Sequence, residues 1–355
     1  MPRQTLDSRS PRHVHDQNAR GEAIPFVITV DVEPDDAWSD HRNRSLANIC
    51  ELRRLQTLLD GFGAKATLLC THTVVQNDDA WAVVRELADG SGAEIGSHLH
   101  PWENPPYLES GLDVKFPTFP HELPGSSFRD KMECLTQAIM KRADAPTSYR
   151  AGRWGLAAEH LPVLEELGYT VDTSVIPLIN WGTTFGIPAA DGGRGGPDYR
   201  FAPQEPYHPD YANPTVPGGA AITELPVTVA FTRAVPRFVR RNYGRLPVLA
   251  HRVLRKSEML RPVWCNPAEQ PADRLRRMMR VAISRPVAHI NMAFHSSELM
   301  LGGSPSTRTE EAVEGVFRRI ELLLTLAAES GRCRFDSLSS AARRLSRRGA
   351  AVTTL

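Results

Sequence analysis

Short apolar runs alternate with longer amphipathic patterns along most of the chain. The first run, "PFVITV", is followed by "SLANICELRRLQTLLDGFG", whose apolar residues recur at helical spacing, with Ser45 as a candidate cap and Gly61 or Gly63 as the stop. Further strands are predicted in "KATLLC", "AEIGSH", "TSYRAG", "YTVDTSV", "AITELPVTV", "VAHINMAFH" and "CRFDSL". Further helices are predicted around 81–88, 128–141, 157–168, 273–283 and 309–329. Strands that alternate with helices are typical of parallel βαβ units and predict an α/β fold, and about seven such units favour a barrel over an open sheet.

One long stretch, residues 177–265, interrupts this alternation. Its first half is rich in Gly and Pro, and its second half, 231–264, carries nine Lys or Arg and one acid. We interpret the whole stretch as an insertion over one end of the barrel. The predicted organisation is a disordered N-terminal tail over 1–23, one barrel domain over 24–346, and a C-terminal tail over 347–355.

The polar residues of three predicted strands fall on one face. A strand sends alternate side chains to opposite sides, so Asp31 and Glu33 point away from the apolar face of "FVITVDVE". The same alternation groups His98 with His100 in "EIGSHLH", and places His295 at the end of "HINMAFH". Catalytic groups of parallel barrels gather at the C-terminal ends of strands, where Arg150 also lies. These residues are therefore expected to form one site, and two imidazoles on one face can bind one cation together.

Composition narrows the function classes. The chain has 355 residues, 41% hydrophobic and 23% charged, with a formal net charge of +1, which argues against a general nucleic-acid binder. The five cysteines include no Cys-x-x-Cys pair, and the polar N-terminus lacks the apolar core of a signal peptide. A cytoplasmic location is expected. The basic segment 231–264 suits an anionic substrate group or peripheral contact with anionic lipid, although a solvated helix face is the preferred interpretation.

The motifs resemble those of the NodB-homology polysaccharide deacetylases, metal-dependent hydrolases of N-acetylated sugars on an irregular (β/α) barrel. The match runs from about Phe26 to the last helix, through "TVDVEPDD", "EIGSHLH", "YRAGRW", "VDTSV" and "MAFHSSEL". Two departures indicate a divergent branch. The second acid usually follows the first directly, whereas here Glu33 lies two positions on, with Asp35 and Asp36 as rivals. The second metal histidine usually lies four residues after the first, where this chain has Trp102, and His100 is the nearest replacement.

The resemblance implies a role for each motif residue. Glu33, His98 and His100 would hold a divalent ion; Zn²⁺ is favoured, and Co²⁺, Ni²⁺ or Mn²⁺ suit the same mixed ligands. Asp31 would be the base, Arg150 would keep it ionised, and His295 would protonate the departing amine. The residues implied to bind substrate are Trp102, Trp154, Asp172 and Ser174.

The expected activity is the removal of an N-acyl group, an acetyl above all, from an amino sugar of a polysaccharide or its precursor, with lipid-linked and nucleotide-linked sugars among the candidate substrates. Two alternatives stay open. One is a hydrolase of carbon–nitrogen bonds in non-sugar amides or formamido groups, and the other is a barrel that binds carbohydrate without catalysis. Neither the acyl group nor the oligomeric state follows from the sequence.

Overall fold

The computed structural model of the chain describes residues 23–233, 235–246, 253, 260–285 and 287–353. The strands are β1 (Ile24–Val32), β2 (Ala66–Cys70), β3 (Glu94–Leu99), β4 (Ser148–Ala151), β5 (Val171–Asp172), β6 (Thr223–Glu224), β7 (Val229–Phe231), β8 (Pro262–Trp264), β9 (Ile290–His295) and β10 (Cys333–Asp336). The α-helices are α1 (Leu52–Asp60), α2 (His72–Gln76), α3 (Asp78–Ser91), α4 (Leu112–Lys115), α5 (Gly125–Met140), α6 (His160–Glu166), α7 (Arg237–Asn242), α8 (Ala272–Ile283), α9 (Glu310–Glu329) and α10 (Leu338–Thr353). Short 3₁₀ helices cover Ala47–Glu51, Pro120–Glu122, Gly152–Trp154, Ala189–Asp191, Tyr243–Arg245 and Ser296–Leu299.

Eight strands form one parallel sheet around β1. The order is β10-β1-β2-β3-β4-β5-β6, and β9 pairs with β1 as well. The segment after β6 bridges the gap to β9, because the Thr228 N–H donates to the Asn291 carbonyl at 3.1 Å and the Asn291 N–H donates to Thr228 Oγ1 at 2.8 Å. The irregular (β/α) barrel predicted from the sequence is confirmed.

The alternation of side chains along β1 separates the core from the barrel interior. Phe26, Ile28 and Val30 are fully buried in the main apolar cluster, together with residues of the surrounding helices. Thr29 lies on the opposite face and donates from Oγ1 to Asn291 Oδ1 on β9 at 3.1 Å. The interior of the barrel is therefore partly polar, and this is the face that continues to Asp31.

Three expectations about organisation change. Within 177–265, Thr223 and Glu224 pair in parallel with Val171 and Asp172, so this stretch supplies a strand of the main sheet and is not wholly an insertion. The helix α10, rich in Ala and Arg of high helix propensity, continues to Thr353, into the stretch predicted as a C-terminal tail. Ser45 does not cap a helix, since its hydroxyl donates to Asp35.

Two predicted segments fall beyond the description. The N-terminal tail lies outside the described residues apart from its last position, and so does part of the basic segment 231–264. Among the described helices, none combines the length and apolar character that a membrane crossing requires.

Candidate active site

The C-terminal ends of β1, β3, β4 and β9 bring the predicted polar residues together. Asp31 stands in register with His295 of β9, and His98 with Arg150 of β4. The Nε2 atoms of His98 and His295 lie 3.9 Å and 3.7 Å from Asp31 Oδ2. Glu33 follows the end of β1, where its N–H donates to the Ser296 hydroxyl at 3.3 Å. Residues separated by more than 260 positions thus share one site.

Glu33, His98 and His100 form a candidate metal site. One ligand atom from each of the three lies within 4.8 Å of the others, and all three side chains are buried. Glu33 Oε2 is 2.8 Å from His100 Nε2 and 3.7 Å from His98 Nε2. One carboxylate and two imidazoles are a donor set that Zn²⁺ and similar divalent ions accept, so these residues fit such an ion.

The backbone carbonyl of Arg150 fixes the tautomer of His98. Its Nδ1 lies 3.0 Å from the Arg150 carbonyl, which can only accept a hydrogen bond, so Nδ1 carries the proton. Nε2 is then left as a free electron-pair donor toward Asp31 and Glu33. Carbonyl contacts of this kind commonly orient metal-binding histidines.

His100 is held as a neutral base. Burial, reinforced by the nearby His98, lowers the pKa of His100 to about 4. Its ring packs on Trp102 with the ring centres 4.2 Å apart. Gly152 makes room for the ring, because a Cβ at that position would stand 2.6 Å from His100 Nδ1. A neutral imidazole is the form that binds metal.

The two rival acids are engaged elsewhere. Asp35 accepts hydrogen bonds from the Ser45 hydroxyl and from the N–H groups of Ala47 and Asn48, so it caps the 3₁₀ helix before α1. Asp36 pairs with Arg308 at 2.7 Å. Of the three acids that the sequence left open, only Glu33 lies among the histidines in the described structure.

Asp31 is ionised and held by a buried ion pair. Arg150 donates from Nη1 to Asp31 Oδ1 at 2.6 Å, from Nη2 to Thr29 Oγ1 at 2.6 Å, and from Nε to the Thr173 carbonyl at 3.0 Å. Burial alone would raise the pKa of Asp31, but the charge of Arg150 above all holds it below the ordinary value. The carboxylate is therefore a base with one oxygen fixed by Arg150 and the other facing the two imidazoles.

His295 is a candidate proton donor. Burial alone would lower its pKa, but the charges of Glu33, Glu298 and Asp31 raise it to about 10. Glu298 Oε2 lies 3.2 Å from His295 Nδ1 and also accepts the His295 N–H at 2.8 Å. Nε2 is left facing Asp31. At neutral pH the ring carries a proton that it can give to a leaving group.

An aromatic cleft of about 310 Å³ opens above these residues. Asp31, Glu33, His98, His100 and His295 line its floor, and five of the six tryptophans line its walls: Trp38, Trp102, Trp154, Trp181 and Trp264. Tryptophan faces suit the apolar faces of sugar rings. The predicted positions Trp102 and Trp154 are both in the lining, although their side chains are mostly buried.

Neither protein-family models nor curated protein sequences match this chain. Several solved structures are similar to this chain. One is a Mycobacterium smegmatis protein assigned as a polysaccharide deacetylase, with a TM-score of 0.53, 15% identity, and 93% of each chain covered. Another is a Parabacteroides distasonis protein assigned as a glycoside hydrolase or deacetylase, with a TM-score of 0.56, 14% identity, and coverage of 92% of this chain and 72% of that one. The chain has the polysaccharide deacetylase fold. The resemblance drawn from the motifs is thus confirmed at the level of the fold.

Two residues expected to bind substrate do not reach the cleft of this deacetylase fold. Asp172 and Ser174 are fully buried, and the Ser174 hydroxyl donates to Asp172 Oδ1 at 2.7 Å while accepting the Ala151 N–H at 2.8 Å. Asp172 also stands in register with Glu224 of β6, and burial raises the pKa of both carboxyl groups. This correction follows from their position inside the sheet, where the neighbouring backbone takes up their polar atoms.

Several residues of the site were not predicted. Glu298 orients His295, and its spacing three residues on, in "HSSE", resembles a capping box, a signal that was available in the sequence. Thr29 and Asn291 shared the inward phase of their strands with the site residues. Glu269 and Arg153 also line the cleft, and neither lies in a strand whose alternation could have indicated this.

Proposed function

We propose that this protein is a metal-dependent hydrolase that removes an N-acyl group, an acetyl above all, from an amino sugar. The observation that carries the proposal is the convergence, on the floor of one aromatic cleft, of a Glu–His–His donor set with an ionised aspartate and a protonated histidine. The shared fold with a protein assigned as a polysaccharide deacetylase supports it. Hydrolysis of an unactivated amide needs these three parts together: an activated water, stabilisation of the oxyanion, and an acid for the amine.

Glu33, His98 and His100 would hold the ion. All three are buried, one ligand atom of each lies within 4.8 Å of the others, and zinc is favoured by the mixed oxygen and nitrogen set. When bound there, a divalent ion would supply Lewis-acid chemistry, making water more acidic and polarising the acyl carbonyl. Every proton movement is then the work of the protein's own side chains.

Asp31 is proposed as the general base. Its Oδ1 is occupied by Arg150, so Oδ2 is the atom that takes the proton of the attacking water. The ion pair with Arg150 has two effects on Asp31. It keeps the carboxylate ionised in a buried place, and it prevents rotation that would turn Oδ2 away from the cleft.

His295 is proposed as the general acid. An amide nitrogen leaves as a poor anion unless it is protonated, and the carboxylates of Glu298 and Asp31 beside His295 favour the protonated ring. Glu298 fixes the ring through Nδ1, which leaves Nε2 as the donating atom. The tryptophans of the cleft walls would hold the sugar ring above this floor.

The proposal is tested by release of acetate from N-acetylated chito-oligosaccharides by zinc-loaded protein. Asp31→Asn and His295→Gln should each lower kcat by roughly 10²- to 10⁴-fold, the usual contribution of a general base or acid. His208→Gln is the matched control, because His208 is exposed and lies outside the cleft lining. Full activity in both site variants would refute the assigned roles, whereas formate release from an N-formyl substrate alone would move the protein to another class of amide hydrolase.

A further inference from the structure

A strained loop carries two side chains into the cleft directly after β4. Arg153 and Trp154 adopt positive φ angles of 52° and 66°, which residues other than glycine rarely do. They follow Gly152, whose backbone packs against His100 of the candidate metal site. Strained backbone of this kind is unfavourable and persists where the surrounding structure uses it to position a functional group.

The Arg153 guanidinium is built into the cleft wall. It donates from Nη1 to the Pro117 carbonyl and from Nη2 to the Phe185 carbonyl, and it stacks 4.1 Å from the centre of the Phe119 ring. Pro117 and Phe119 themselves line the cleft, as Arg153 does. The charged group is thus fixed at the place where a ligand would sit, rather than extended into solvent.

This guanidinium lacks a counter-ion within the described residues. Arg150, three residues earlier in the chain, has the Asp31 carboxylate at 2.6 Å, whereas the two hydrogen bonds of Arg153 go to neutral carbonyls. Glu122 acts on its charge only from a distance, since its carboxylate accepts the N–H groups of Phe119 and Ile187. Burial lowers the pKa of Arg153 to about 10, still far above neutrality.

A fixed and partly buried cation with spare N–H donors is suited to an oxyanion. A guanidinium has five N–H groups, of which the carbonyls of Pro117 and Phe185 use two. Carboxylate and phosphate oxygens match the remaining fork and form charge-assisted bonds stronger than those of a neutral hydroxyl. A neutral sugar would leave the charge of Arg153 uncompensated when it displaced water from the cleft.

We propose that Arg153 binds an anionic group, a carboxylate or a phosphate, carried by the N-acyl amino sugar that occupies the cleft. The inference rests on the proposed function for the identity of the sugar, and it adds the substrate class. The anionic group would lie close to the acyl group, because Arg153 directly follows Gly152, whose backbone packs against His100 of the candidate metal site.

Binding is measured without catalysis, through the fluorescence of the tryptophans that line the cleft. The ligands are N-acetylglucosamine, N-acetylmuramic acid and N-acetylglucosamine 1-phosphate, which share one sugar and differ in the anionic group. The wild-type protein should bind at least one of the two anions about tenfold or more tightly than the neutral sugar, the effect expected of a charge-assisted hydrogen bond. The preference should shrink as salt is raised. Which anion is preferred decides between carboxylate and phosphate.

Variants separate the side chain from the rest of the cleft. Arg153→Gln should abolish the anion preference, and Arg153→Lys, which keeps the charge without the fork, should keep part of it. Arg194→Gln is the matched control, because Arg194 also donates to a carbonyl of this region, that of His121, but is exposed and outside the cleft lining. It should leave the preference intact. Thermal unfolding of each variant shows whether the fold is retained.

Equal binding of the neutral and anionic sugars by the wild-type protein overturns the inference, whatever the variants do. So does an anion preference that survives in Arg153→Gln. Acetate release from the same three sugars is recorded separately. An Arg153-dependent preference for the anionic sugars without acetate release supports the anion site and refutes the hydrolase. Acetate release without a preference for the anionic sugars supports the hydrolase and refutes the anion site.

Discussion

Replacing Arg150 by methionine perturbs the ion pair on which the proposed base depends. Arg150 and Asp31 are both buried, with Nη1 and Oδ1 2.6 Å apart, and Arg150 also donates to Thr29. Removing one partner of a buried pair leaves an uncompensated charge and costs roughly 3–5 kcal/mol. We expect the free energy of unfolding of Arg150→Met to fall by about this amount near neutral pH.

The size of the loss should depend on pH in a definite direction. In the wild-type protein the folded pKa of Asp31 lies below its ordinary value of 3.8, so the pair stabilises the fold above that pH and the stability is lost as pH falls through the folded pKa. Burial already opposes the charge of Asp31 more than any other influence, and Arg150 is the largest of the charges that offset it, so removing Arg150 should raise the pKa of Asp31. The variant should therefore lose stability as pH increases. The difference between the two proteins should be larger at about pH 8 than at about pH 4.

Urea denaturation at the two pH values, in the presence of a chelator, measures this difference. The double variant Asp31→Asn/Arg150→Met should recover part of the lost stability, because it removes the buried charge as well. Lys131→Met is the matched control, since Lys131 and Asp113 form another fully buried pair, 2.8 Å apart, outside the cleft lining. A loss that is the same at both pH values, and no recovery in the double variant, would refute the assigned role of Arg150.

Three further changes probe single features of the site. Glu103 is buried, and burial raises its pKa to about 7, so wild-type stability should fall as pH rises from 4.5 to 7. Glu103→Gln, compared by urea denaturation of metal-free protein, should therefore gain up to about 3 kcal/mol relative to wild type above pH 7; no change with pH would contradict this. Asp35→Ala should destabilise the fold by about 1 kcal/mol through loss of a cap yet keep the bound metal, and loss of metal in an equilibrium dialysis assay would reinstate Asp35 as a ligand. Gly152→Ala should weaken metal binding tenfold or more, because the new Cβ would collide with the Leu99 carbonyl and the His100 ring and displace His100. Gly90→Ala, whose new Cβ meets nothing within 4 Å, should not; equal affinities would show that the close packing has no effect.

The floor of the site could be predicted because strand periodicity encodes it. The two-residue alternation in "FVITVDVE" and "HINMAFH" fixes which side chains face inward, and the parallel order then places Asp31, His98, Arg150 and His295 at one end of the barrel. Such patterns involve only neighbouring residues of one strand, so they can be recognised in a single sequence.

What could not be predicted depends on contacts between distant loops. Glu33 was distinguishable from Asp35 only through the hydrogen bonds that Asp35 makes to Ser45 and Asn48. The burial of Asp172 could not be predicted, because its partner, Glu224, comes from a two-residue strand within a stretch interpreted as an insertion. The position of Arg153 in the cleft could not be predicted, because no residue pattern indicates a positive φ angle at an arginine.

Metal content tests the central claim most directly. Protein purified without chelator, and then dialysed against zinc, should hold about one divalent ion per chain by elemental analysis, as a three-ligand site requires. His98→Ala and Glu33→Ala should lose that ion, whereas His295→Gln should keep it and lose activity. A wild-type protein that binds no divalent ion, or an ion that stays in both His98→Ala and Glu33→Ala, would contradict the account.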